Sequence, residues 1–143
     1  MVVHSNLNIF SSTFFLTNTY RLSFKPKYKT YFYSFFLLAC SSTLHHAYPE
    51  KKLLEYIDKA AVYNVIYQGW KPFYKFLHKD YHNIYSSQSI INISSFVSVL
   101  WLYGYGYYTN SYSFDTNGFG YVYHAILHAL SSIGHHSIIS VCT

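Results

Sequence analysis

The feature that most constrains the fold is a set of four long, largely apolar stretches that carry few charged side chains. The segment 89–108 contains no charged residue, and 119–141 contains no Asp, Glu, Lys or Arg. About 20 such residues are enough to cross roughly 30 Å of hydrocarbon as a helix. The sequence therefore predicts an all-α fold, an integral membrane bundle of about four transmembrane helices, at 28–48, 53–70, 89–108 and 119–141.

The composition agrees with a membrane environment. The chain is 51% hydrophobic and 22% aromatic but only 10% charged, which departs from the soluble average. Its mean hydropathy of +0.07 is modest, because 18 tyrosines and many serines lower the index. Both residue types are tolerated in bilayers, tyrosine at the interfaces and serine between helices. We expect a multi-pass integral membrane protein with membrane lipid as its partner, and the sequence does not choose the membrane.

The 143 residues form one domain at most, and two parts of it are predicted. Residues 1–27 are expected to be an interfacial or half-membrane segment, because the apolar stretch 7–20 is too short to span a bilayer. Residues 28–143 are expected to form the transmembrane domain. Within it, 71–88 is predicted to be a basic, aromatic linker in the interface, and 109–118 a polar loop.

Charge and cysteine content exclude two other classes. The net charge is +5, but the basic residues lie at the ends of apolar runs and form no continuous patch, so no nucleic-acid partner is expected. Cys40 and Cys142 belong to no CxxC pair, which argues against a disulfide framework or a cysteine-based metal site. We expect both to be small buried residues.

Several polar groups are predicted to converge at one membrane depth. His45 and His46 end the first predicted helix, Asp58 lies near the start of the second, and His124 and His128 lie near the start of the fourth. Because successive helices cross the membrane in alternating directions, all of these positions fall on the same side. His124 and His128 are one turn apart and therefore face the same way.

This convergence suggests a metal site. Three imidazoles bind Zn²⁺ and leave a fourth position for water, whose pKa the ion lowers towards about 7. A carboxylate such as Asp58 would orient that water or accept its proton. Simpler interpretations stay open: Asp58 would pair with Lys59, and a serine such as Ser41 would bond its own backbone. His135 and His136, deeper in the last helix, are expected to be packing or hydrogen-bonding groups.

The same residues carry a resemblance to a known superfamily. Ser41 with His45 four residues later, then "YIDKAAVYNVI", then "HAILHALSSIG" resemble the alkaline ceramidases, adiponectin-type receptors and hemolysin III proteins. The resemblance implies a zinc-dependent lipid-amide hydrolase site with His45, His124 and His128 as metal ligands and Asp58 beside the metal-bound water. Asp58 and Ser41 are accordingly the candidate catalytic residues.

The chain also departs from that superfamily. It has about four predicted spanning helices instead of seven, and His46, which follows Ser42 by four residues, fits the Ser-x3-His pattern as well as His45 does. His46 is therefore the alternate ligand. Gly134 matches a glycine frequent in the last helix of hemolysin III proteins. The chain thus resembles a reduced member, in which a homo-oligomer would replace the missing walls of the site.

Three functions remain open from the sequence. The first is a zinc-dependent membrane hydrolase of lipid amide or ester bonds. The second is a non-enzymatic membrane scaffold or interaction protein whose histidines are incidental. The third is a haem-binding helical bundle, because bis-histidine ligation also uses histidines from facing helices.

Overall fold

The computed structural model describes residues 3–109 and 120–142, and no strand occurs in these ranges. The all-α prediction is therefore confirmed. The predicted loop 109–118 lies, apart from Thr109, outside the described residues. The α-helices are α1 (Val3–Ser12), α2 (Phe14–Ser23), α3 (Lys29–Ala47), α4 (Lys52–Lys79), α5 (Ser87–Tyr108) and α6 (Gly120–Ser140), with 3₁₀ turns at Pro26–Tyr28 and Tyr81–Tyr85.

Three of the four predicted long helices have the expected bounds to within two residues. They are α3, α5 and α6, which were predicted at 28–48, 89–108 and 119–141. Among the described residues, none of the helices is both long enough and apolar enough to cross a membrane. The structure thus confirms these segments as helices and does not confirm them as spans.

The second predicted helix, which is α4, is longer than its predicted range of 53–70. It was expected to end at residue 70, with residues 71–88 forming an interfacial linker. The helix instead continues through Pro72 to Lys79. Phe73 is buried in the core, and Phe76 and Leu77 pack against it. These three side chains follow helical spacing, so burial of one apolar stripe extends the helix past the proline.

The N-terminal segment is helical and packs into the bundle. Only Thr13 separates α1 from α2, and its backbone stays in the helical region, with φ −67° and ψ −16°. The hydroxyl groups of Ser12, Thr13 and Thr17 bond carbonyls three or four residues earlier, a pattern that bends helices. Both helices contact α3 and α6, and α2 contributes Phe15 and Leu22 to the core.

The core lies where α2, α3, α4 and α6 meet. α6 contacts α1, α2, α4 and α5, while α3 contacts α1, α2 and α4. The buried apolar side chains come from four helices: Phe15, Leu22, Tyr31, Phe35, Leu38, Ala39, Ala61, Val65, Phe73, Ile138 and Ile139. α6 is therefore the central helix, and its first turns lie beside the end of α3.

Two basic side chains bond carbonyl oxygens in the last turns of α6 and just after it. Arg21 donates to the carbonyl oxygen of His136 (3.2 Å), and Lys25 Nζ donates to that of Cys142 (2.6 Å). Cations near the last carbonyls of a helix stabilise it.

Cys142 is buried as predicted, and this burial raises the pKa of its thiol to about 11. Cys40 is exposed, which corrects the prediction, because this residue lies on the outer face of α3.

Candidate metal centre

Three buried histidines meet where α3 ends and α6 begins. His46 comes from the last turn of α3, and His124 and His128 come from the second and third turns of α6. One ring nitrogen of each lies within 4.8 Å of the other two. The predicted meeting of histidines from the first and fourth long helices is therefore confirmed, and the group of three does not include Asp58.

One nitrogen–nitrogen distance in this group is close to that expected around a small ion. The Nε2 atoms of His46 and His124 are 3.1 Å apart. Two nitrogens bound tetrahedrally to zinc at 2.0–2.1 Å would be roughly 3.3 Å apart. The ring centroid of His128 lies 4.5 Å from that of His124 and 5.3 Å from that of His46. Three imidazole donors leaving one position open form the ligand set of a catalytic zinc site.

The structure selects the alternate of the two neighbouring histidines. His45 is buried and its ring centroid is 5.1 Å from that of His46, but the group of three contains His46. Successive residues of a helix point about 100° apart, so the two rings diverge and the rotation of α3 brings only His46 into the group of three. The sequence left this rotation undetermined.

Ser41 and Asp58 form a pair at a different interface. Ser41 Oγ donates to Asp58 Oδ1 at 2.9 Å, which joins α3 to α4. The same hydroxyl lies 3.2 Å from the carbonyl oxygen of Leu38, so the backbone bond considered for Ser41 is present. The catalytic roles of Ser41 and Asp58 stay predictions. Lys59, the other partner considered for Asp58, forms an ion pair with Glu55 at 2.6 Å instead.

The N-terminal helix supplies polar contacts that the sequence interpretation missed. Ser11 Oγ lies 2.9 Å from His128 Nδ1, and Ser12 Oγ lies 3.0 Å from Ser42 Oγ. With Asn8, these serines occupy positions i, i+3 and i+4, and all three are buried. That spacing of polar residues in an apolar segment was the available signal.

The other two histidines of α6 serve packing and hydrogen bonding, as predicted. His135 Nδ1 is hydrogen-bonded to the hydroxyl of Tyr31, and its ring packs edge-on against Phe35 with centroids 4.9 Å apart. His136 Nε2 lies 2.8 Å from Thr17 Oγ1, and its Nδ1 lies 3.0 Å from Arg21.

No protein-family model, curated protein or solved structure matches this chain. The candidate metal site is therefore supported by its geometry.

Proposed function

We propose that this protein is a membrane-embedded helical bundle that binds one zinc ion through His46, His124 and His128. The observation that carries the proposal is the burial of three imidazoles from two helices, with one donor atom of each within 4.8 Å of the others. Zinc is the metal proposed because it takes nitrogen ligands in a tetrahedral arrangement, and three protein ligands leave room for a water.

Elemental analysis of the protein purified in detergent tests this proposal. We expect about one zinc per chain, as for other three-histidine sites. The double variant His124→Ala/His128→Ala should carry none, because one imidazole cannot retain the ion. The double variant His78→Ala/His82→Ala is a matched control, since both residues are exposed, and it should keep its zinc. A metal-free wild type after purification in zinc-containing buffer would contradict the proposal.

The membrane part of the proposal is supported by the distribution of polarity. Polar side chains such as Asn18, Ser42 and Ser89 are almost completely buried, whereas the side chain of Trp101 is 74% exposed. Much of the outer face of α5 is apolar: Ile90, Ile91, Ile93, Phe96, Val97, Leu100 and Trp101 are all exposed. A continuous apolar surface of this kind usually marks contact with a membrane or another protein.

Alkaline carbonate extraction tests membrane integration. We expect the expressed protein to sediment with the membranes after this treatment, because its apolar outer face remains in lipid while peripheral proteins are released. A peripheral membrane protein expressed in the same cells is the control. Recovery of the folded chain in the carbonate supernatant would contradict an integral location.

Two functions follow from such a site, and different observations favour them. The zinc-dependent hydrolysis of lipid amide or ester bonds is favoured by the open fourth position of a three-histidine site. A non-enzymatic scaffold or interaction protein, in which the histidines are incidental, is favoured by Asp58 bonding Ser41 at the α3–α4 interface. Release of fatty acid from a ceramide by the zinc-loaded protein, absent from the zinc-free protein, would select the hydrolase.

The haem alternative is the least supported. Bis-histidine ligation puts the two ligand nitrogens on opposite faces of a porphyrin ring. The Nε2 atoms of His46 and His124 are already in contact at 3.1 Å, so the macrocycle would have to separate α3 from α6.

A further inference from the structure

The hydrogen bonds of Ser11 determine how it can interact with His128. Ser11 Oγ donates to the backbone carbonyl of Asn8 at 3.1 Å and lies 2.9 Å from His128 Nδ1. A serine hydroxyl has one proton to donate and two lone pairs to accept with. A neutral imidazole that binds a metal through Nε2 carries its proton on Nδ1. With zinc on Nε2, the Nδ1–H of His128 would therefore donate to Ser11 Oγ, whose own proton goes to the Asn8 carbonyl.

We propose that α1 supplies the outer shell of the metal centre, with Ser11 as a positioning residue that holds His128 in the Nδ1-protonated tautomer. In this tautomer Nε2 carries a free lone pair and becomes the ligand atom. Hydrogen bonds to the second nitrogen commonly fix the tautomer and the ring orientation of metal-binding histidines. The inference rests on the proposed zinc site and adds a residue to it.

Other contacts fix the register of Ser11 opposite His128. α1 and α2 run parallel to α6: later residues of α1 and α2 bond later residues of α6. Asn18 Nδ2 donates to Ser132 Oγ at 2.6 Å, and Arg21 bonds His136 one turn further on. Ser11 itself is 1% exposed. Packed backbone and a buried hydroxyl thus hold this contact without competition from water.

Zinc affinity of serine variants tests the inference. Ser11→Ala should bind zinc roughly 10- to 100-fold more weakly, the loss typical of an outer-shell partner. Ser12→Ala is the matched control, because Ser12 also donates to the Asn8 carbonyl (2.8 Å) but its side chain meets Ser42. It should bind as the wild type does. Ser11→Thr, which keeps the hydroxyl, should restore most of the affinity.

A second measurement needs no variant. The ¹⁵N chemical shifts of labelled histidine in the zinc-free protein should report a protonated Nδ1 on His128. Equal zinc affinities of the wild type and Ser11→Ala would overturn the inference and leave the zinc site intact. Protonation at Nε2 would overturn it as well. A wild type that binds no zinc would overturn the zinc site itself.

Discussion

Replacing His46 by alanine is expected to abolish stoichiometric zinc binding, whereas the same change at the adjacent His45 is expected to preserve it. The reason is geometric, since His46 Nε2 lies 3.1 Å from His124 Nε2 and His45 lies outside the group of three. Loss of a direct ligand should exceed the roughly 10- to 100-fold weakening that follows loss of an outer-shell partner. Zinc titration against a chromophoric chelator measures both variants.

This pair of variants is its own control, because the two residues are neighbours of the same type and both are buried. Any general damage to the end of α3 should affect them alike. Zinc retained by His46→Ala but lost by His45→Ala would show that α3 is rotated relative to the structure described here. It would return the ligand role to the residue that the superfamily resemblance favoured.

The second large effect concerns the contact between α5 and α6. A methyl group added at Gly134 would lie 2.9 Å from Ser95 Cβ, closer than two carbon atoms can approach. Ser95 Cβ is fixed to its backbone, so the two helices would have to separate. Overpacking of this kind costs about 1–3 kcal/mol, against about 1 kcal/mol gained when alanine replaces glycine in a helix. We expect Gly134→Ala to lower the free energy of unfolding in detergent.

Gly104→Ala is the matched control for Gly134→Ala. Gly104 also lies within a long helix, but a methyl group there would meet nothing within 4 Å. The gain in helix propensity should then appear alone, and the variant should be as stable as the wild type or more stable by up to about 1 kcal/mol. Equal effects of the two substitutions would contradict the close packing of α5 on α6.

The sequence predicted the long helices and their alternating directions well, because both depend on local properties. Apolar runs with little charge form helices, and short turns force neighbouring helices to run antiparallel. The meeting of His46 with His124 and His128 followed from this alternation alone. The selection of His46 over His45 did not, because the rotation of α3 depends on how its whole buried face packs.

Two other features depended on tertiary packing. α4 was expected to end at residue 70, but the helix continues through Pro72 to Lys79, and Phe73 is buried in the core. The segment 7–20 was judged too short to span a membrane and was expected to be interfacial or half-membrane. Its packing against α3 and α6 was not anticipated. The contact of Ser11 with His128 joins residues 117 positions apart, which no local pattern reports.

X-ray absorption at the zinc edge tests the central claim most directly. The zinc-loaded protein should give a first shell of nitrogen or oxygen at about 2.0–2.1 Å, with the outer-shell scattering of three imidazoles. The pattern should fall to two imidazoles in any His46→Ala protein that retains metal. A shell containing sulfur, a shell of oxygen atoms without imidazole scattering, or no bound zinc would contradict the account.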